Sequence, residues 1–325
     1  MKHMHIVEVI VLSLTMGAFC AAFVLKYGGR IALLDNPNDR SSHSLPTPRG
    51  GGVGIWLAFI LVGFFVVKDT CFTLTALAAG LLGLWEDYRP LSSKLRLLIQ
   101  VVISLLFIFL LSGLPTSALG AVSFFFWIVV ITGTANFYNF MDGINGIAGL
   151  TGIVGFGLMA FFSFFIVYEP EVALISIALS CACLGFLPFN FPKAKVFMGD
   201  TGSIFLGVAF AALVLKLTAT IGIFLCLVMF LFNFYADAIV TIYYRSRRGE
   251  NLLKAHRSHL YQYMSNELKM PHWVVSGTYA ITQCVIGILA IIAYSKGLLW
   301  QSVLLGIFVG LYIMAYRSIK RIKPQ

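Results

Sequence analysis

The residues best suited to chemistry in this 325-residue chain are acids set beside glycines, amides and turn residues in otherwise apolar sequence. Glu86 and Asp87 stand together in Trp85-Glu86-Asp87-Tyr88-Arg89-Pro90, at the mouth of an apolar run. Two adjacent acids there are costly unless they are solvated, paired or bound to a cation. Asn139, Asp142 and Asn145 lie in Asn136-Phe137-Tyr138-Asn139-Phe140-Met141-Asp142-Gly143-Ile144-Asn145-Gly146, where glycines let backbone approach a ligand and amides offer donors and acceptors. Asp200 sits in Val196-Phe197-Met198-Gly199-Asp200-Thr201-Gly202-Ser203, where a helix starts. An N-cap role suits it and leaves a second oxygen for a metal, while Phe197 offers a ring for base stacking or for anchoring the helix.

Basic and imidazole groups accompany the acids. His256-Arg257-Ser258-His259 follows Arg245, Arg247, Arg248 and Lys254; if helical, it places both histidines on one face, suited to a diphosphate. His43 and Arg49 flank a Gly50-Gly51-Gly52 run whose following helix presents amides to an anion, and Lys94 joins these phosphate-binding candidates. Asp237 is the one acid placed within the hydrocarbon region near the cytoplasmic end, a binding candidate or a helix-to-helix hydrogen bond. Acids from separate loops, glycine turns and cations together fit Mg2+ held by oxygen ligands and substrate phosphates, with Mn2+ as a substitute, and hence phosphoryl transfer.

These groups need a scaffold that brings them to one place. Hydrophobic residues make up 59% of the chain and charged residues 11%, and the mean hydropathy is +0.92, values that belong in a bilayer. The expected fold is all-α: a polytopic transmembrane bundle filling residues 1–325 as a single domain, of eleven helices or ten. The spans are read at 5–25, 51–67, 70–85, 96–112, 119–136, 146–167, 172–189, 203–216, 220–242, 273–294 and 298–316, the third and eighth being short enough to tilt, to break or to meet lipid only in part. The first span ends in Leu25-Lys26-Tyr27-Gly28-Gly29-Arg30 without a small-residue cleavage site and reads as an anchor rather than a signal peptide. Alternating helices put nineteen of the twenty-three Lys and Arg on one face; the positive-inside rule makes that face cytoplasmic, with the N-terminus outside and the C-terminus inside. The six cysteines suggest neither a zinc site nor a disulfide framework. The basic groups follow membrane sidedness, which argues against nucleic acid as a partner despite a pI near 9.4. A transporter would gather its polar groups near the midplane, and here they lie at helix ends.

In this order and between these spans, PTPRGGG, WEDYRP, NFYNFMDGINGIAG, VFMGDTGS and HRSH resemble the polyprenyl-phosphate N-acetylhexosamine-1-phosphate transferase superfamily, and most closely its bacterial branch that initiates O-antigen and related surface glycans. The resemblance implies an enzyme of the bacterial inner membrane whose cytoplasmic site takes undecaprenyl phosphate and a UDP-N-acetylhexosamine. It leaves a homodimer open. It implies that Asp200 is the principal magnesium ligand with Asp87 beside it, and that Glu86 and Asp87 flank the lipid phosphate. Asn139, Asp142 and Asn145 then line the nucleotide and metal region, while His256, Arg257 and His259 contact the sugar diphosphate. Two positions depart from the family pattern: Glu86-Asp87 stands where Asp-Asp is usual, and Asn145 replaces the acid after Asp-Gly-Ile. The lipid phosphate is expected to attack directly, activated by Asp87, rather than through a covalent phosphosugar enzyme. Residues 245–272 are the expected donor selector. The peptidoglycan branch, which uses a UDP-muramoyl-pentapeptide, is the alternative, ranked lower because its final loop carries a His-rich triplet where this chain has HRSH.

Overall fold

In the computed structural model the described residues are 2–31, 33–37, 42, 45–252, 254 and 256–323. The helices in chain order are α1 (Lys2–Tyr27), α2 (Val53–Leu61) continued by a π-helical turn (Val62–Val67), α3 (Thr70–Tyr88), α4 (Ser93–Ser112), α5 (Ala118–Phe140), α6 (Ile147–Phe165) and α7 (Pro170–Asn190). They continue as α8 (Gly199–Leu217), α9 (Ile221–Met229), α10 (Phe232–Arg247), the short α11 (Leu260–Gln262) leading into a π-helical turn (Tyr263–Glu267), α12 (His272–Lys296) and α13 (Leu298–Arg321). The only sheet among the described residues is a two-stranded antiparallel bridge, β1 (Leu34–Asp35) with β2 (Thr47–Pro48), closing the long α1–α2 connection.

The all-α membrane bundle follows the hydropathy, and by length and composition alone fewer than eleven helices qualify as spans. Eight helices among the described residues are long and apolar enough to cross a bilayer, nine when α9 and α10 are taken as one span. Two of the eleven are outside that set, although α3 runs the length of α8, with Asp69 paired to Lys216 at one end and Asp87 bonded to Asp200 N at the other. The stretch Val53–Val67 is too short, and α3, which carries three threonines and ends in Glu86-Asp87-Tyr88, is not among the eight.

Every residue of α8 from Thr201 to Val214 is buried, so a helix apolar all round takes the centre of the bundle, against α2, α3, α5, α6 and α9. It is unbroken and 83% buried, so of the readings for the eighth span partial exposure to lipid holds and a break does not. The break lies in the ninth, where α9 and α10 meet at 84°. A break inside a bundle is tolerated only if the freed backbone groups find partners. Gln283 of α12, fully buried, supplies them: its Nε2 donates to the Met229 carbonyl at 2.7 Å, and its Oε1 accepts from Asn233 N at 3.0 Å. Asn233 completes the splice by donating to the Tyr279 carbonyl and to Thr282 Oγ1, both at 2.8 Å. The bend turns α10 toward α5, bringing Asp237 beneath the segment 256–262.

Gln283→Leu should lower the unfolding temperature in detergent clearly more than Thr282→Ala. It strands a carbonyl and an N–H at about 1–3 kcal/mol each, whereas Asn233 keeps the Tyr279 carbonyl when the Thr282 hydroxyl is lost. Equal melting of both variants would contradict this account of the break.

Candidate active site

A cavity of 290 Å³ opens at the end of the bundle where α3 and α5 finish and α8 begins, and Arg49, Asp87, Asn139, Asp142, Asn145, Phe197 and Asp200 all line it. Its geometry starts from the N-terminus of α8, whose first amides have no partner within the helix. Asp87 supplies one from α3. Its Oδ1 accepts from Asp200 N at 2.9 Å, and its Oδ2 accepts from Thr201 N at 3.1 Å and from Thr201 Oγ1 at 2.6 Å. Asp200 is therefore not the N-cap: Met198 holds that position, and Asp200 sits inside the first turn. The helices can come this close because glycines face one another. A Cβ on Gly83 would lie 2.3 Å from the Asp200 carbonyl oxygen, and one on Gly52 would lie 2.3 Å from Gly202 Cα.

With Asp87 holding the helix end, the Asp200 carboxylate turns to the cavity. Its Oδ1 accepts from Asn139 Nδ2 at 2.6 Å, and the same amide nitrogen reaches Ser203 Oγ at 3.0 Å. Asp142 is half-buried in the α5–α6 turn. Burial first, then the charges of Asp200 and Asp87, raise its pKa from 3.8 to about 8. Arg49 donates to the Asp87 backbone carbonyl, and its Nε is buried with no partner among the described residues. Phe197 is fixed through its backbone, donating to the Pro48 carbonyl and accepting from Gly51 N. Asn145 N donates to His272 Nδ1, and its carbonyl accepts from Ser276 Oγ at 2.7 Å.

A second cavity, of 370 Å³, adjoins the first and shares Asn139 with it; Arg96, Asn136, Lys254, His256 and His259 also line it. The Arg96 Nε donor and His259 Nε2 are buried there with no partner among the described residues. Asp237 positions His259: its carboxylate accepts from Leu260 N at 2.9 Å, Tyr261 N at 3.2 Å and Tyr279 OH at 2.6 Å, and it meets His259 Nδ1 at 3.2 Å. His256 stacks loosely on His259 with ring centroids 4.9 Å apart. Burial, then His259 and Arg245, lower its pKa to about 4, leaving a neutral imidazole.

Several expectations need correction. Glu86 and Asp87 do not act as a pair, because neighbouring helical positions point about 100° apart: Glu86 lines neither cavity and faces Arg96 at 3.7 Å. Asp237, fully buried and saturated with donors, lies behind the site and touches neither cavity. Arg257 pairs with Glu267 at 3.7 Å and also lines neither. The segment 256–258 is not helical; a loop brings the two imidazoles together. Lys94 is exposed at the start of α4, while Arg96, two residues on and therefore on the other side of the helix, enters the second cavity. His43 lies outside the described residues. Sequence reasoning gave no role to Arg96, Asn136, Gln262 or His272, all of which line these cavities. Asn136 stands three residues before Asn139, a spacing that puts both amides on one face.

No three His, Cys, Asp or Glu side chains among the described residues converge tightly enough to hold a metal alone. Asp200, with a free oxygen, and Asp142 suit a cation that keeps waters and takes its other ligands from phosphate. Asp87 already accepts three hydrogen bonds, and a carboxylate has about four acceptor positions; it supports the site more than it offers a ligand.

Comparison with known sequences bears on what this arrangement serves. A model of glycosyl transferase family 4 matches residues 70–218. The chain is 30% identical over 289 residues, 79% of its length and 88% of the relative's, to a phospho-N-acetylmuramoyl-pentapeptide-transferase of Halalkalibacterium halodurans. It belongs to the polyprenyl-phosphate N-acetylhexosamine-1-phosphate transferase superfamily. A probable undecaprenyl-phosphate N-acetylglucosaminyl 1-phosphate transferase of Bacillus subtilis is 27% identical over 65% of this chain and 63% of its own length. An undecaprenyl-phosphate alpha-N-acetylglucosaminyl 1-phosphate transferase of Thermotoga maritima is 30% identical over 58% of each. The chain thus spans about three fifths of the length of these two relatives. The match to the transferase family model runs from α3 through α8 and so takes in Asp87, Asn139, Asp142 and Asp200, while Arg49 and the loop bearing His256 and His259 fall outside it.

Two predictions follow from this superfamily site. Asp142 is neutral in the folded protein up to about pH 8 and ionised in the unfolded chain above about pH 4, so folding takes up its proton and bringing a cation beside it expels that proton. Calorimetry with Mg2+ in buffers of different ionisation enthalpy should show close to one proton released near pH 7, with affinity rising toward pH 8, and Asp142→Asn should release none. Asp87→Asn replaces an acceptor oxygen by a donor against Thr201 N–H, and should lower the melting temperature by the equivalent of about 2–3 kcal/mol; an unchanged melting temperature would remove Asp87 from its place as the anchor of α8.

Proposed function

We propose that the chain transfers an N-acetylhexosamine 1-phosphate from a UDP-sugar to undecaprenyl phosphate, releasing UMP, as the first step of O-antigen or related surface-glycan synthesis. The observation that carries this reading is the pair of adjoining cavities, one lined by Asp87, Asp142 and Asp200 and the other by Arg96, Lys254 and two imidazoles, meeting at Asn139. Two anionic substrates brought together need both: acids to hold a divalent cation, and cations to offset the second phosphate. The names of the Bacillus subtilis and Thermotoga maritima relatives support the substrate class. The excess of nineteen Lys and Arg over four on the site's face supports a cytoplasmic site in the inner membrane, with the N-terminus outside.

In the reaction an oxygen of the lipid phosphate attacks the phosphorus attached to the sugar. The bond from that phosphorus to the bridging oxygen breaks, and UMP leaves with that oxygen. Mg2+, or Mn2+ in its place, held by Asp200 with Asp142 nearby, would supply charge neutralisation at the diphosphate. Arg49 offers its unpaired Nε to the diphosphate from the acid-lined side. Arg96 offers its Nε to the lipid phosphate from the other, and Asp237 fixes the tautomer of His259 by accepting from Nδ1–H, so that Nε2 of the neutral ring faces the cavity as an acceptor and donates to a phosphate only once it takes up a proton. A phosphate monoester is already largely dianionic at neutral pH, with a second pKa of about 6. The attacking group thus needs no strong base, and Asp87, committed to α8, is not required for one. Phe197 lines the acid-lined cavity beside Asp200 and offers a ring on which the uracil stacks.

A second reading, transfer of phospho-N-acetylmuramoyl-pentapeptide, is supported by the Halalkalibacterium halodurans relative, of which 88% is covered. One assay separates the two: UMP release by the purified protein with undecaprenyl phosphate, Mg2+ and a panel of UDP-N-acetylhexosamines beside UDP-muramoyl-pentapeptide. Release with a UDP-N-acetylhexosamine, dependent on lipid and abolished by chelation, is the expected result. Asp200→Asn should reduce it at least about a hundredfold. Release with the pentapeptide donor alone would select the second reading, and accumulation of a phosphosugar-protein without lipid would overturn direct attack.

A further inference from the structure

A third cleft, of 570 Å³, lies at the same end of the bundle but outside both cavities of the proposed reaction, between the end of α10 and the end of α13. Arg248, Arg317, Lys320 and Arg321 line it with Tyr244 and Tyr316. The tyrosine rings stack in parallel with centroids 5.2 Å apart and form a rigid floor. Two of the cations are held by groups that do not neutralise them. Arg317 Nε donates to Tyr244 OH at 2.9 Å, and Lys320 Nζ donates to the Ser258 carbonyl at 3.0 Å while lying 4.1 Å from the Tyr263 ring centroid. Arg317 thus spends one of five N–H donors and Lys320 one of three. Among the described residues no carboxylate pairs with Arg317, Lys320 or Arg321, and the nearby Glu250 is shared by Arg245 and Arg248 at 2.8 Å each.

The depth of the cleft says which anion it faces. At 1.5 Å per residue, Arg317 lies roughly 28 Å along α13 from Leu298, close to the thickness of a bilayer's hydrocarbon core. Helix α13 is also the least covered of the spans, with 6% of it buried. Along one face the exposed residues Val303, Ile307, Leu311 and Met314 repeat every three or four positions and run directly into Arg317 and Arg321. The stripe matches a lipid in outline, apolar for the length of an acyl chain and cationic at headgroup level.

We propose that this cleft binds the phosphate of an anionic phospholipid headgroup, with Arg317 and Arg321 contacting the phosphate and an acyl chain lying along the Val303–Met314 face of α13. A zwitterionic lipid presents the same phosphate but adds an ammonium to a cleft that already holds four cations, so the site discriminates by net charge.

The test uses the full-length protein in phosphatidylcholine nanodiscs containing spin-labelled phosphatidylglycerol or spin-labelled phosphatidylcholine, reading the motionally restricted fraction of each. Wild type should retain phosphatidylglycerol over phosphatidylcholine by about tenfold. Arg317→Gln with Arg321→Gln should lose most of that preference, and Arg317→Lys with Arg321→Lys should regain it. Lys193→Gln with Lys195→Gln removes two exposed cations elsewhere on the same face and should leave the preference intact. A preference unchanged in the paired Gln variant, or lost equally in the Lys193/Lys195 variant, overturns the site. Displacement of the labelled lipid by soluble glycerol phosphate overturns the lipid as its source and leaves a site for water-borne phosphate.

Discussion

A helix whose first turn is walled in by other helices presents unpaired amides and the positive end of a dipole to surroundings with little water, and α8, central in the bundle, begins in this way at the bundle's end. Asp87 answers it from another helix, and most of the site follows from that contact. The carboxylate reaches Asp200 N and both the N–H and hydroxyl of Thr201 only because α3 and α8 touch through Gly83, and α2 and α8 through Gly52 and Gly202. Once Asp87 has taken the amides, Asp200 is free to face the cavity, and Asn139 sets its direction. The same positive end draws three aspartates together. Burial, and then the charges of Asp200 and Asp87, raise the pKa of Asp142, which no side-chain hydrogen bond among the described residues offsets, to about 8.

The two cavities differ in what they lack. Around the second, and at Arg49 on the rim of the first, the buried groups without partners among the described residues include the donors Arg49 Nε and Arg96 Nε. A protein surface finished for its own stability would have supplied acceptors for these, since a buried unpaired donor costs about 1–3 kcal/mol. The deficit suits ligands rich in acceptor oxygens, as phosphates are, and it complements the acid-lined cavity, where a cation is wanted. Asn139 belongs to both walls, so the point where the two demands meet is held by an amide that already orients Asp200.

Much of this was legible in the sequence, in proportion to how local the physics is. Apolar runs revealed the helices, and acids, amides and glycines at their ends revealed Asp142, Asp200, Asn139 and Asp87. What escaped depended on direction or distance. Glu86 and Asp87 are chemically alike, and only the phase of α3 sends one to Arg96 and the other to α8; the same phase argument separates exposed Lys94 from buried-side Arg96. The break between α9 and α10 has no proline or glycine to announce it, because its backbone partners come from Gln283, some fifty residues further on. Asp237 looked like a ligand because an acid in an apolar span has no local explanation, and its donors arrive from His259, Leu260, Tyr261 and Tyr279.

The loop that walls the second cavity is fastened at two points by buried charges. Arg245, 3% exposed, grips its near end by donating to Glu250 and to the carbonyls of Asn251 and Lys254. Asp237 grips its far end at residues 259–261. Both anchors sit on α10, so the fold treats the stretch between them as an interchangeable panel. Lys254 and His256 thus face the second cavity from a stretch whose two ends are set by α10, and a substitution at either changes that wall without touching a helix-to-helix contact.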